Sequence, residues 1–287
     1  MGRYLFKFGF IFFMFSATLC SLTIEPVKTF RNFGYQQGYL NRPKSMSSFK
    51  QNLYVVDSEN RRVSVFNHDF KFRFEFDSIL DEDDELASLE APAWIHVDRS
   101  GRVFLVETES SLIHQFDSFG RYIKTFGGFG LTGVQFNQPM GLSTDEFGFL
   151  YLADSENNSI VKLNENGELL FRILPKEGNL KMPRDVIILK DLSILVLDSE
   201  GVKKYSELGR FQKHLIKSDF VSDFAVDRNE NIYLVNAKKG LFSIYSSKGE
   251  LFSHVSYIKQ PTFINIYESD LFITDTKDHA IYKFQIN

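Results

Sequence analysis

Six times along this chain a short apolar run ends in an acidic or asparagine turn. Leu53-Tyr54-Val55-Val56 leads into Asp57, Val103-Phe104-Leu105-Val106 into Glu107, and Leu150-Tyr151-Leu152-Ala153 into Asp154. Ile194-Leu195-Val196-Leu197 leads into Asp198, Ile232-Tyr233-Leu234-Val235 into Asn236, and Leu271-Phe272-Ile273-Thr274 into Asp275. The steps between the turn residues are 50, 47, 44, 38 and 39 residues. Repeats of this length are supersecondary units that bury their faces only against each other.

Two more columns keep the same register. A proline stands 14 or 15 residues before five of the turns, at Pro43, Pro92, Pro139, Pro183 and Pro261. Phe66, Phe116, Leu163, Tyr245 and Phe284 follow five turns by nine residues, and Tyr205 follows Asp198 by seven. A glycine comes four residues later in four copies, at Gly120, Gly167, Gly209 and Gly249. That is where a hairpin needs a positive φ, which is cheap without a Cβ. Phe70 holds the place in the first copy, so a different turn is expected there.

Each unit therefore reads as four short strands, and four strands per 40–50 residues is the period of a β-propeller blade. The 31 Phe and 12 Tyr suit many half-buried strands. The last unit stops one strand short. Val27-Lys28-Thr29-Phe30-Arg31-Asn32-Phe33-Gly34 mirrors Ile123-Lys124-Thr125-Phe126-Gly127-Gly128-Phe129-Gly130, and both run 16 residues on to a proline. The N-terminal segment thus reads as a displaced fourth strand that pairs with the last blade and covers its open edge. The expected fold is all-β: a six-bladed propeller over 21–287 with four-stranded antiparallel blades, starting near 40, 89, 136, 180, 220 and 258 and closed by the N-terminal strand.

Residues 1–20 have the layout of an export signal, with Arg3 and Lys7 first, an apolar run over Phe8–Phe15, then Ser16, Ala17 and Thr18. Three outcomes stay open: cleavage near Cys20 or Ser21, lipidation of Cys20 as in a bacterial lipoprotein, or an uncleaved anchor. The chain is therefore expected to be periplasmic, extracellular or tethered at its N-terminus, with no other membrane contact. Cys20 is the single cysteine, which excludes an intrachain disulfide and cysteine-based catalysis in the body of the chain. The net charge of −4 argues against a dedicated nucleic-acid binder.

The segments Ala91-Pro92-Ala93-Trp94-Ile95-His96-Val97-Asp98 and Leu150–Asn157, with the hairpin glycine, resemble the NHL-repeat family of six-bladed propellers. The likeness spans roughly 26–287, is good in copies two and three, and is degraded in copy four. It implies a rigid ring presenting variable loops, a binding platform more than an enzyme.

The repeated Asp-Ser-x-Asn turns read as structural staples, since a short acidic side chain accepts backbone N–H groups two or three residues on. Asn157-Asn158-Ser159 also matches a glycosylation sequon. Function is expected where the repeat breaks at the channel mouth. Two places after the proline column come Ser45, Trp94, Gly141, Asp185, Asp223 and Phe263; two further on come Ser47, His96, Ser143, Ile187, Ala225 and Asn265. Trp94, His96, Asp185, Asp223 and Asn265 depart from the small residues expected at a crowded axis. With Arg42 and Arg184 on the rim, they are the ligand-site candidates, suited to a sugar or peptide through stacking and bidentate contacts. The plainer reading makes them axis filling and turn caps.

The expected function is binding of a protein, peptide or glycan by a monomer, with no catalytic residue and no cofactor. The alternative is a hydrolase or lyase. Gluconolactonase-like propellers hold an axial metal on acidic and Asn ligands, and Asp185, Asp223 and Asn265 resemble such a set. The acidic run Asp81–Glu85 reads as a solvated loop, and Lys203-Lys204 and Lys238-Lys239 as basic turns across the ring.

Overall fold

The computed structural model describes residues 25–286 apart from 81, 82, 84, 177 and 257. Residues 1–20, which read as an export signal and include Cys20, and most of the acidic run 81–85 lie outside the described residues. Six four-stranded antiparallel sheets form the ring. Their innermost strands are Pro43–Phe49, Pro92–Val97, Pro139–Thr144, Asp185–Ile188, Asp223–Val226 and Pro261–Tyr267. We number the blades one to six in that order.

Alternation along a strand explains why the second strands are apolar throughout. Side chains point to opposite faces in turn, and both faces of a blade are covered by neighbours. Leu53 and Val55 enter the cluster shared with blade six, while Tyr54 and Val56 enter the one shared with blade two. Six apolar clusters form among the described residues, one in each gap between successive blades. The core is therefore a ring of wedges, not a central mass.

The ring closes as the sequence implies. Lys28–Phe30 is the fourth strand of blade six, with Lys28 opposite Lys283, Thr29 opposite Tyr282 and Phe30 opposite Ile281. The backbone N–H of Val27 donates to the Lys283 carbonyl at 2.8 Å, and Arg31 Nη2 donates to the Tyr282 hydroxyl at 2.7 Å. Phe30 packs against Phe66 and Phe70 of blade one, with ring centroids 5.1 and 5.7 Å away. One strand thus joins the last sheet by hydrogen bonds and the first blade by packing.

The staples are more than local turns. Asp57 Oδ1 accepts the Asn41 N–H at 2.6 Å and Asp154 Oδ1 that of Asn137 at 2.7 Å, each from the approach to the blade's own proline. Glu107, Asp198 and Asp275 hold Glu90, Lys181 and Gln260 in the same way. The expected bonds to residues two or three places on are also present, as from Glu200 to Asp198. A buried cation completes three of the sites: Arg62 on Asp57 at 2.9 Å, Arg172 on Asp154 at 2.6 Å and Lys203 on Asp198 at 2.6 Å. These three buried carboxylates are thereby paired, as burial of charge requires.

Several sequence expectations change in detail. The Phe70 turn has the same pattern as the glycine turns: its N–H donates to the Asn67 carbonyl at 2.9 Å, as Gly120 donates to Asp117 at 3.0 Å. Phe70 accepts φ +59°, and its ring packs beside Phe30 and Phe272. Lys203 and Lys204 do not form a basic turn, because alternation sends Lys203 inward to Asp198 while Lys204 pairs with Asp191 at 3.6 Å. The sequon Asn157 uses its amide nitrogen to donate to the Gly130 carbonyl and to Asp154, so folded protein does not present it for modification. The connection between blades one and two carries a small extra hairpin, Ser78–Leu80 with Leu86–Ser88.

Candidate functional site

The innermost strands line the axis with the two columns read from the sequence. A cavity of about 210 Å³ on the axis is walled by Ser45, Ser47, Trp94, His96, Asp185, Asp223 and Asn265, among others. Adjacent innermost strands are not paired with each other, so their N–H groups need other acceptors. The axial side chains supply several. Ser45 Oγ accepts the Ile95 N–H at 3.2 Å, Ser47 Oγ that of Val97 at 2.9 Å, and Asp223 Oδ2 that of Ile264 at 2.9 Å. His96 Nε2 and Thr144 Oγ1 are 2.9 Å apart, and Ser48 Oγ donates to Asn265 Oδ1 at 2.7 Å. Each bond crosses from one blade to a neighbour, so small polar residues at the axis tie blades together.

Two carboxyls exceed that structural need. Asp223 Oδ1 is buried without a partner among the described residues, and Asp185 stands on the neighbouring innermost strand. Gly141 makes room for it, because a Cβ there would collide with Asp185 Oδ1. Burial, reinforced by the charge of Asp223, raises the Asp185 carboxyl well above the usual carboxylate range. Burial pushes Asp223 up to about 7. Burial also lowers His96 to about 4, so its imidazole is neutral at ordinary pH. Among the described residues, no three His, Cys, Asp or Glu side chains gather as a metal-binding group.

A much larger cup, about 920 Å³, opens above this chamber. It is formed where the chain enters the innermost strands and where the second strands turn. Trp94 borders both spaces, and its ring meets Phe263 edge-on with centroids 4.8 Å apart. Trp94 is only 7% exposed, so it serves as partition and floor, with little free face for stacking.

The seven sequence candidates therefore separate. Trp94, His96, Asp185, Asp223 and Asn265 share the axial chamber; Trp94 and Arg42 share the cup. Arg184 lines neither, and its guanidinium donates to the Val221 carbonyl at 3.3 Å.

Most cup residues lie outside the second and fourth places after the proline, the two columns that depart from the repeat in the sequence. The cup takes the places on either side of the proline: Arg42, Ala91, Gln138 and Gln260 before it, Lys44, Ala93, Met140 and Thr262 after it. It also takes places just past the staple, among them Glu109, Lys277 and His279. Alternation is the signal that could have found them, since residues next to an axis-facing position point elsewhere.

Within the cup, the Arg42 guanidinium is held by Glu59 at 3.1 Å. The Arg42 backbone N–H donates to His279 Nδ1 at 3.0 Å, which leaves the neutral ring's proton on Nε2. Thr262 and Thr276 hydroxyls bond each other.

No family model matches the chain. It is 26% identical over 167 residues to Protein brain tumor of Drosophila melanogaster, a match covering 54% of this chain and 16% of that protein. Among solved structures, a gluconolactonase from Xanthomonas campestris superposes with a TM-score of 0.67 at 17% identity, covering 88% of each chain. Virginiamycin B lyase from Staphylococcus aureus superposes with a TM-score of 0.62 at 9% identity, covering 91% of this chain and 99% of that one. At such identities the structural likeness is one of fold alone, and the chain is a six-bladed β-propeller.

Proposed function

We propose that this chain is an exported binding module that takes a protein, peptide or glycan at the mouth of its channel. The observation that carries the reading is the 920 Å³ cup, near the upper end for ligand pockets. Its lining varies from blade to blade while the staples beneath it repeat. A rigid frame with variable loops is how binding sites are commonly displayed. The layout of residues 1–20 supports export, with Cys20 as the lipidation candidate if the chain is anchored. The ring needs no second copy to close, which supports a monomer.

Ala237→Trp tests the reading, because Ala237 lines the cup and a larger side chain there projects into open space. Pull-down from surface extracts of the source cells is expected to recover a ligand with the native protein. At least tenfold less is expected with the variant. Equal recovery would remove the cup from the function.

One observation favours a hydrolase or lyase with an axial divalent ion: the unpartnered Asp223 Oδ1. The donor set fits such an ion poorly, since Asn265 Oδ1 already accepts from Ser48 and both carboxyls are raised toward their protonated forms. Elemental analysis separates the readings. One divalent ion per native chain, lost in Asp185→Ala, would replace the binding reading with this one.

A further inference from the structure

We propose that the cup selects an acidic saccharide, a glycan whose sugar carries a carboxylate, and holds that carboxylate between Lys44 and Lys277. The inference rests on the binding reading above and names its ligand class. Lys44 at the start of blade one and Lys277 in the turn of blade six both line the cup, and neither ammonium has a hydrogen-bond or ion-pair partner among the described residues. Arg42 lies between them in the ring order, but Glu59 occupies its guanidinium. The His279 Nε2–H adds a donor on the same side. Glu109 is the cup's single acid, on the blade-two side and equally unpartnered. An anion therefore gains at the wall of blades one and six and is repelled at the wall of blade two, which sets one orientation.

A sugar fits the remaining lining better than a peptide does. The side-chain amides of Gln138 and Gln260 have no partner among the described residues. An amide both donates and accepts, as a sugar hydroxyl does. An extended peptide is held instead by free backbone groups of a sheet edge. The innermost strands have one edge in their own sheets, and several N–H groups on the other edge are taken by axial side chains.

The test uses the protein without its export segment and four probes measured by calorimetry. These are a trigalacturonate, its carboxyl-reduced neutral counterpart, a phosphorylated hexose and an acidic tripeptide. The trigalacturonate is expected to bind at least tenfold tighter than any of the others. Lys44→Glu and Lys277→Glu are each expected to weaken it tenfold or more, and Glu109→Gln to tighten it severalfold. Lys277 is exposed and Lys44 half-buried at the cup wall, and unchanged thermal unfolding will show that the variants fold.

Equal affinity for the reduced sugar, indifference to either charge reversal, preference for the peptide or phosphosugar, or no binding of any probe would each overturn the proposal. If a ligand is still captured from extracts by the native protein and lost in Ala237→Trp, the binding reading survives that failure. If no ligand is captured either, both fall.

Discussion

Removing residues 25–34 is expected to abolish cooperative folding of the ring, or to leave a species that associates through the open edge of blade six. The segment supplies the fourth strand of that blade, opposite Lys283, Tyr282 and Ile281. Without it Ala280–Gln285 becomes an edge strand of six residues with unpaired N–H and C=O groups, a template for pairing with another chain. The packing loss adds to this. Phe30 is 6% exposed and belongs to the cluster that joins blades six and one. Phe30→Ala alone should cost about 3–5 kcal/mol, the usual range for emptying a buried aromatic site. For a chain of this size that corresponds to roughly 10 °C in midpoint. Circular dichroism melts and size-exclusion profiles of the deletion and of Phe30→Ala will read both effects. A deletion variant that stays monomeric with the native melting midpoint would show that another contact closes the ring.

The axial carboxyl pair gives the second large effect. In the unfolded chain Asp185 and Asp223 titrate near 3.8, the ordinary value for an aspartate. In the folded ring Asp223 is pushed up to about 7 and Asp185 well above its ordinary value. Between those limits the folded state binds more protons than the unfolded one, so stability falls as pH rises. The contribution is most favourable below pH 4 and is progressively lost through pH 7. Three pKa units for Asp223 alone correspond to about 4 kcal/mol over that window.

Other carboxylates work in the opposite sense, among them Glu107 and Asp98, where burial acts to raise the carboxyl but hydrogen bonds and a nearby cation together outweigh it and lower it. The pair is therefore isolated by comparing the native chain with Asp185→Asn. The variant is expected to be more stable at pH 8, by about 2 kcal/mol if half of the burial penalty is relieved. The difference should shrink toward pH 4. Urea unfolding across this range is the measurement, and parallel curves would mean that the pair carries no shared penalty.

The two effects meet in the construction of the ring. The innermost strands of adjoining blades share no sheet, so beyond the apolar packing between blades they are tied by polar side chains that cross each boundary near the axis. Here Ser45, Ser47 and Asp223 accept N–H groups from adjoining blades, and His96 and Asn265 bond to side chains across blade boundaries. Such positions are bound by structure before they are free for function. Some cup residues are tied in the same way, as His279 is to the Arg42 N–H, but the side chains of Lys44, Lys277, Gln138 and Gln260 make no such bond among the described residues, which is why they are the better places to look for recognition.

Local periodicity and turn chemistry, written in the sequence alone, determined the six blades, their four strands and the closing strand. Asp57, Glu107, Asp154, Asp198, Asn236 and Asp275 mark six equivalent turns, and the echo of Ile123–Gly130 in Val27–Gly34 marks the strand that completes the last sheet. The sequence also pointed to the axial columns, because their residues depart from the repeat at fixed offsets. Only the tertiary structure decided which of those departures share a space. Distances across the ring depend on how far each innermost strand leans toward the axis, and no spacing along the chain encodes that. Arg42 and Arg184 both flank a proline, yet one lines the cup and the other bonds the Val221 carbonyl. Trp94 read as a stacking platform, yet its edge-on contact with Phe263 makes it the floor between two cavities. The staples kept their predicted role and gained a reach of 15 to 17 residues back along the chain, because folding brings the approach to each proline alongside the turn that follows it.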